Sequence, residues 1–172
     1  MADDERMGDR GVMEPAHRLV RIELDEAGTP RRSAEAEHER AIAIYDILED
    51  NSFALVDQAG ALLAGPFHLY LRAEGRHIRF DIRNDSHSEL SQFYRALGPL
   101  RRVMRDYFHV CDTYYEAIRT KSPSQIQAID MGRRALHNEG ADILRSRLDG
   151  RVATDEMTSR RLFTLICVLQ AR

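Results

Sequence analysis

The first half of the chain carries the residue pattern of a β-sheet. Segment 17–25 alternates apolar with charged residues, and this period of two is typical of a half-buried strand. Segment 67–83 repeats the alternation on both sides of a short turn and predicts a hairpin. Short strands at 53–56 and 89–97 complete a predicted antiparallel meander of four to five strands.

The hairpin also predicts which face of the sheet is buried. A turn at Glu74-Gly75 places every apolar residue of both strands on one side and the polar residues on the other. The predicted pairs on the apolar side are Leu71 with Ile78, Leu69 with Phe80 and Phe67 with Ile82. Such a sheet has one dry face, which helices must cover, and one wet face.

Apolar residues at helical spacing predict about four helices, most of them in the second half. The first helix is predicted over 33–50, with Ser33 as its N-cap. The second begins at Gly98-Pro99, where proline occupies the first helical position. The third begins at Ser122, with the proline and glutamine of a capping box behind it.

Two further features predict how these helices pack. Gly132 and Gly140 share one face of the third helix, which predicts close approach of a neighbouring element. The last helix, with Thr154 as its cap, contains the run 162–169, which is apolar on nearly all sides. A helix of this kind belongs at the centre of a core or in a subunit interface, so we expect a homodimer.

Strands first and helices last predict an α+β fold. The expected architecture is an antiparallel four- to five-stranded meander sheet whose dry face is packed by a mainly C-terminal set of about four helices. We predict a single domain over 17–172, rich in strands over 17–97 and helical over 98–172. Residues 1–16 hold five acids, two arginines and no periodicity, and are predicted to form a disordered acidic tail.

Charge and targeting signals narrow the function classes. The net charge is −3, and the excess of basic residues is local, with eight basic and four acidic residues over 95–134. Nucleic-acid binding is therefore not favoured. The N-terminus lacks the basic and apolar regions of a secretion signal, and no apolar run is long enough for a membrane span. We therefore expect a cytoplasmic protein whose Cys111 and Cys167 are reduced core residues.

Common catalytic and metal-binding patterns are missing from the chain. None of the seven histidines has a histidine partner at the i,i+4 spacing that places two ligands on one helix face. There is no G-x-S-x-G nucleophile motif and no glycine-rich phosphate loop. We therefore predict neither a metal site nor a cofactor.

Two groups of residues remain as candidate sites. At the start of the second helix, Arg101, Arg102 and Arg105 combine guanidinium groups with free backbone N–H groups, as an anion site requires. The alternative is a solvated face partly paired with Asp106. The second group is a run of polar residues at helical spacing in the third helix: Asp130, Arg133, Arg134, His137, Asn138 and Glu139. Here the alternative is a structural network of surface pairs.

These groups support two functional hypotheses. The leading one is a non-catalytic binding or regulatory module that acts through a basic helical surface on an anionic small molecule or a protein partner. The other is a small enzyme for a phosphate-bearing or anionic metabolite. In that case the arginines of the second helix hold the anion, and His137 or Glu139 moves a proton.

Four blocks of sequence carry a family resemblance. They read EHERAIAIYDILEDNSFAL, RRVMRDYFHVCDTYYEAIRT, SPSQIQAIDMGRRALHNEG and SRRLFTLICVL, in this order. They resemble uncharacterised protein family 0262, a small alphaproteobacterial group, over nearly all of 19–169. The resemblance implies an alphaproteobacterial cytoplasmic protein. It implies no activity, and there are no family catalytic residues to carry over.

Overall fold

The computed structural model describes residues 15–26 and 33–170. The fold is α+β with four α-helices, as predicted. Its elements in chain order are β1 (Leu19–Asp25), α1 (Ala34–Glu49), β2 (Phe53–Leu55), β3 (Phe67–Glu74), β4 (His77–Arg83), β5 (Glu89–Ala96), α2 (Arg101–Thr120), α3 (Pro123–Leu148), β6 (Val152–Thr154) and α4 (Glu156–Gln170). Residues 1–14 of the predicted tail lie outside the described residues.

The main sheet is mixed, which corrects the predicted antiparallel meander. Its order is β1-β3-β4-β5, and β1 runs parallel to β3 while the other pairs are antiparallel. A parallel pair needs a crossover of a dozen residues or more, and α1 lies within the connection between these two strands. The predicted strand β2 leaves this sheet and pairs with β6, a strand that we did not predict.

The β3–β4 hairpin has the predicted faces but a different register. Leu71 lies opposite Phe80, and Leu69 lies opposite Ile82, two residues away from the predicted pairing. The turn is at Gly75-Arg76 rather than one residue earlier, and Gly75 has a φ of +60° that favours glycine. A slip of two residues keeps every side chain on its face, and the burial of the apolar face is confirmed. The other face is not wholly wet as predicted, because His68 and Asp81 on it are also buried.

A bulge in β1 makes the predicted alternation of buried and exposed residues wrong at one end of this strand. The pairing with β3 skips one residue between Leu19 and Arg21. Leu19 is fully buried, whereas Val20, which the alternation placed on the dry face, is 40% exposed. An extra residue in a strand shifts the alternation of all residues on one side of it.

The last helix, α4, is the centre of the helical layer. It contacts α1, α3 and β3, and most of its side chains are buried within this one chain. Packing within one chain therefore explains why the run 162–169 is apolar on nearly all sides. The run no longer supports a homodimer, which stays a prediction. The cap is Asp155, whose Oδ1 accepts the Thr158 N–H at 2.9 Å, and not Thr154, which ends β6.

The helix α3 starts and packs largely as its sequence predicts. Ser122 accepts the Gln125 N–H, and the Gln125 side chain accepts the Ser122 N–H, so the capping box is confirmed. The predicted close approach holds at Gly140, which faces the ring of Phe163. It is wrong for Gly132, which has no neighbouring atom within reach of an added Cβ.

Candidate functional site

The three arginines of α2 do not form one site. Arg101 and Arg105, one helical turn apart, line a cavity of about 400 Å³. Arg102 points elsewhere, because adjacent helix positions diverge by about 100°. Its guanidinium pairs with Asp106 at 3.2 Å and with Glu139 of α3.

The polar group of α3 is also divided between sides of the helix. Asp130 binds Arg133 at 2.7 Å and Arg134 at 2.9 Å, and the hydrogen bond from Arg133 holds the pKa of this carboxyl below its usual range. Glu139 faces α2, where it meets Arg102, and Asn138 is exposed. His137 turns instead toward α4. His137 and Glu139 therefore do not face each other across one cavity.

Charged side chains of three helices line one cavity between α1, α3 and the first turns of α4. We call this cavity of about 340 Å³ the arginine cleft. Its charged lining residues, together with its one histidine, are Glu39, Asp46, Arg133, Arg134, His137, Arg160 and Arg161. Four guanidinium groups thus face two carboxylates, and Asp130 beside them still leaves an excess of positive charge.

Arg160 is the least compensated of these cations. Among the described residues, its Nε is buried without a hydrogen-bond partner, and its Nη1 contacts the thioether sulfur of Met157 at 3.6 Å. Arg133, by contrast, pairs with Asp130, and Arg161 donates to the Asp50 carbonyl at 3.0 Å. We did not predict Arg160 as a site residue. The only sequence signal was a pair of arginines directly before the apolar run 162–169.

His137 joins α3 to α4 at the wall of this cleft. Its Nε2 lies 2.8 Å from the Arg160 carbonyl oxygen and 2.8 Å from Thr164 Oγ1. Because a carbonyl only accepts, Nε2 carries the proton and Nδ1 keeps a lone pair. Burial lowers the pKa of His137, so the ring is neutral near pH 7. The ring of Tyr107 lies 5.4 Å from the imidazole ring, in a tilted arrangement.

A second cavity, of about 380 Å³, lies between α1, α2 and α4. Glu39, Tyr107 and Thr164 line both this cavity and the arginine cleft, so the two adjoin. Glu39 accepts a hydrogen bond of 2.8 Å from the Tyr115 hydroxyl.

Both cysteines line this second cavity. They are free and buried, as predicted. Burial raises the pKa of Cys111 to about 11 and raises that of Cys167 as well. Neither is therefore a thiolate nucleophile near pH 7.

Within 15–26 and 33–170, no three His, Cys, Asp or Glu side chains are grouped so that they could hold a metal ion. None of the described helices combines the length and the apolar character needed to cross a bilayer.

Comparison with known sequences gives the family. A family model described as "Uncharacterised protein family (UPF0262)" matches residues 16–172. A UPF0262 protein of Azorhizobium caulinodans is 51% identical over 156 residues, which cover 90% of this chain and 94% of the relative. One from Cereibacter sphaeroides is 49% identical over 154 residues, with 89% and 98% covered.

A further relative, a UPF0262 protein of Rhodospirillum rubrum, is 47% identical over 164 residues, which cover 95% of this chain and 99% of the relative. No solved structure matches the chain. These alphaproteobacterial relatives confirm the resemblance found in the four sequence blocks. The chain belongs to the uncharacterised protein family UPF0262.

Proposed function

We propose that this protein is a non-catalytic binding module for a small anionic ligand, and that the anionic group of the ligand lies in the arginine cleft against Arg160. One observation carries the proposal. Within the part of the chain that the structure describes, the Nε of Arg160 is a buried donor without an acceptor, at the wall of a cavity in which guanidinium groups outnumber carboxylates.

The energetics favour an anion at this place. A buried donor that lacks its acceptor costs about 1–3 kcal/mol, and more when the donor is charged. A phosphate or carboxylate oxygen would remove that cost and would gain charge-assisted hydrogen bonds. Arg134 lies at the same cleft and is largely exposed, so its side chain has room to turn toward a bound anion.

The predicted surface on α2 is a weaker candidate. The side chain of Arg105 is 73% exposed, and water screens its charge. The side chain of Arg102 is already bound to Asp106 and Glu139. An anion at Arg101 and Arg105 therefore stays an alternative that the same experiment tests.

The enzyme hypothesis also keeps one supporting observation. His137 is neutral, has a lone pair on Nδ1 and lines the same cleft as the arginines, so it has the chemistry of a general base. Glu139 is no longer favoured for this role, because it binds Arg102 on another side of α3. Release of phosphate from a phosphate ester that is lost in His137→Gln would favour the enzyme over the binding module.

The test of anion binding is a thermal-shift titration of the full chain with inorganic phosphate, pyrophosphate and sulfate at constant ionic strength. A ligand at a hundredfold excess over its Kd stabilises by about 2.7 kcal/mol. We expect this stabilisation in the native protein and its loss in Arg160→Gln. The matched control is the double variant Arg101→Gln/Arg105→Gln, which should bind as the native protein does.

Two results would overturn the proposal. One is the absence of any stabilisation by these anions. The other is stabilisation that persists in Arg160→Gln but disappears in the Arg101→Gln/Arg105→Gln control, because that result would place the anion at the start of α2.

A further inference from the structure

The second cavity has a lining opposite in charge to the arginine cleft. We call it the aromatic cavity. Its aromatic and acidic lining residues are Glu35, Glu39, Tyr107, Phe108, Asp112 and Tyr115. No basic side chain of the described residues lines it. Three carboxylates and three aromatic rings are the groups that attract an ammonium ion, through charge and through the electron-rich ring faces.

The two cavities adjoin. Glu39, Tyr107 and Thr164 line both, with the arginines on one side of these residues and the acidic and aromatic residues on the other. We infer that one ligand occupies both cavities, with an anionic group in the arginine cleft and an ammonium group in the aromatic cavity. This inference rests on the proposed function and adds the second half of the ligand.

Contacts where the two cavities adjoin support the negative lining of the aromatic cavity and the positive lining of the arginine cleft. The Tyr115 hydroxyl donates to Glu39, so Glu39 acts as an acceptor there. Burial raises the pKa of both Tyr107 and Tyr115, which keeps their rings uncharged. Arg133 lies 4.0 Å from Glu39 on the cleft side, so the change from positive to negative lining takes place over one residue pair.

Other ligand ends fit the aromatic cavity less well. A second anionic group would face Glu35, Glu39 and Asp112 and would be repelled. An alkyl chain could contact Phe108, but it would remove water from the carboxylates without supplying an opposite charge. Glu35 and Glu39 already lie 4.0 Å from Arg119 and Arg133, so Asp112 is the carboxylate for which the ammonium group matters most. An ammonium group satisfies both the rings and the carboxylates.

The experiment compares two series of probes by isothermal titration calorimetry at pH 7.5. One series is ω-aminoalkyl phosphates with two to six carbons, and the other is alkyl phosphates of the same lengths. Each pair shares the phosphate and the chain and differs in the ammonium group. We expect the aminoalkyl phosphate to bind about tenfold more tightly at the length that spans both cavities, as expected for an ammonium among aromatic and acidic groups.

Two variants locate the ammonium group. Glu39→Gln and Asp112→Asn remove the lining charge with little change in shape, and each should reduce the preference severalfold while alkyl phosphate still binds. The matched control is Glu116→Gln, which removes a carboxylate from α2, the helix that carries Asp112. Glu116 is exposed and lines neither cavity. This variant should keep the full preference.

The outcomes separate this inference from the function on which it rests. Equal binding of the two series at every length, or a preference unchanged in both Glu39→Gln and Asp112→Asn, would overturn the ammonium site. Phosphate binding in the arginine cleft would then still stand. If neither series nor inorganic phosphate binds, the proposed function fails and the inference fails with it.

Discussion

Gly140 gives the sharpest test of how α3 and α4 pack. In Gly140→Ala, the new Cβ would overlap the ring of Phe163, with the ring Cε1 only 2.6 Å away. Phe163 is fully buried, and its ring lies 5.5 Å from Tyr107 and 5.9 Å from His137. The ring cannot move aside without displacing these neighbours.

The magnitude follows from two opposing effects. Overpacking a core typically costs about 1–3 kcal/mol, and overlap with a whole ring puts this site at the upper end. Replacing a glycine inside a helix by alanine stabilises the helix by about 0.5–1 kcal/mol. We therefore expect Gly140→Ala to lower the free energy of unfolding by about 2 kcal/mol.

Gly132 supplies the matched control on the same helix. An added Cβ there meets no atom within 4 Å, so Gly132→Ala should raise the free energy of unfolding by about 0.5–1 kcal/mol. Urea unfolding followed by circular dichroism measures both variants, and the slope with denaturant should stay constant. Equal stabilisation by the two alanines would refute the packing of Phe163 on Gly140.

Three further predictions concern buried polar groups. Asn51 exchanges two hydrogen bonds with the backbone of Leu19, so Asn51→Ala should cost about 2–4 kcal/mol in urea unfolding; a loss below about 1 kcal/mol would contradict this. Cys111 and Cys167 should resist a disulfide reagent at pH 8 until urea is added, because both are buried with raised pKa values; rapid labelling of the native protein would argue against their burial. Burial lowers the pKa of His137, so the unfolded chain takes up this proton first as the pH falls through the ordinary value of about 6.5, and stability should drop between pH 7.5 and 5.5. The drop should be smaller in His137→Gln, and an equal drop in both proteins would assign it to other groups.

Local features of the fold could be predicted from the sequence. The capping box at Ser122 and the buried faces of the β3–β4 hairpin depend on residues a few positions apart, and both are confirmed. The hairpin register was wrong by two because Gly75 can start or end the turn, and both choices bury the same side chains.

Long-range pairing could not be predicted in the same way. Nothing in the residues of β1 distinguishes a parallel from an antiparallel neighbour, and the pairing of β2 with β6 joins segments about 100 residues apart. The strand β6 has only three residues, too few for a period to be recognised. Its pairing is fixed by the tertiary structure rather than by its own pattern.

The candidate site was predicted in part. Arg133, Arg134 and His137 were named from helical spacing, and all three line the arginine cleft. Arg160 was missed because its importance comes from the lack of a partner, which spacing within one helix does not reveal. Glu39 was missed because it lies on α1, far along the chain from the polar run of α3.

The measurement that tests anion binding most directly is a titration of the isotope-labelled protein with inorganic phosphate, followed by nitrogen–proton correlation spectra. If the anion lies in the arginine cleft, the largest shifts will be at Arg160, its neighbour Arg161 and Thr164, and the guanidinium Nε–H signal of Arg160 will move with them. Shifts confined to Arg101 and Arg105, or no saturable shift at all, would contradict the account.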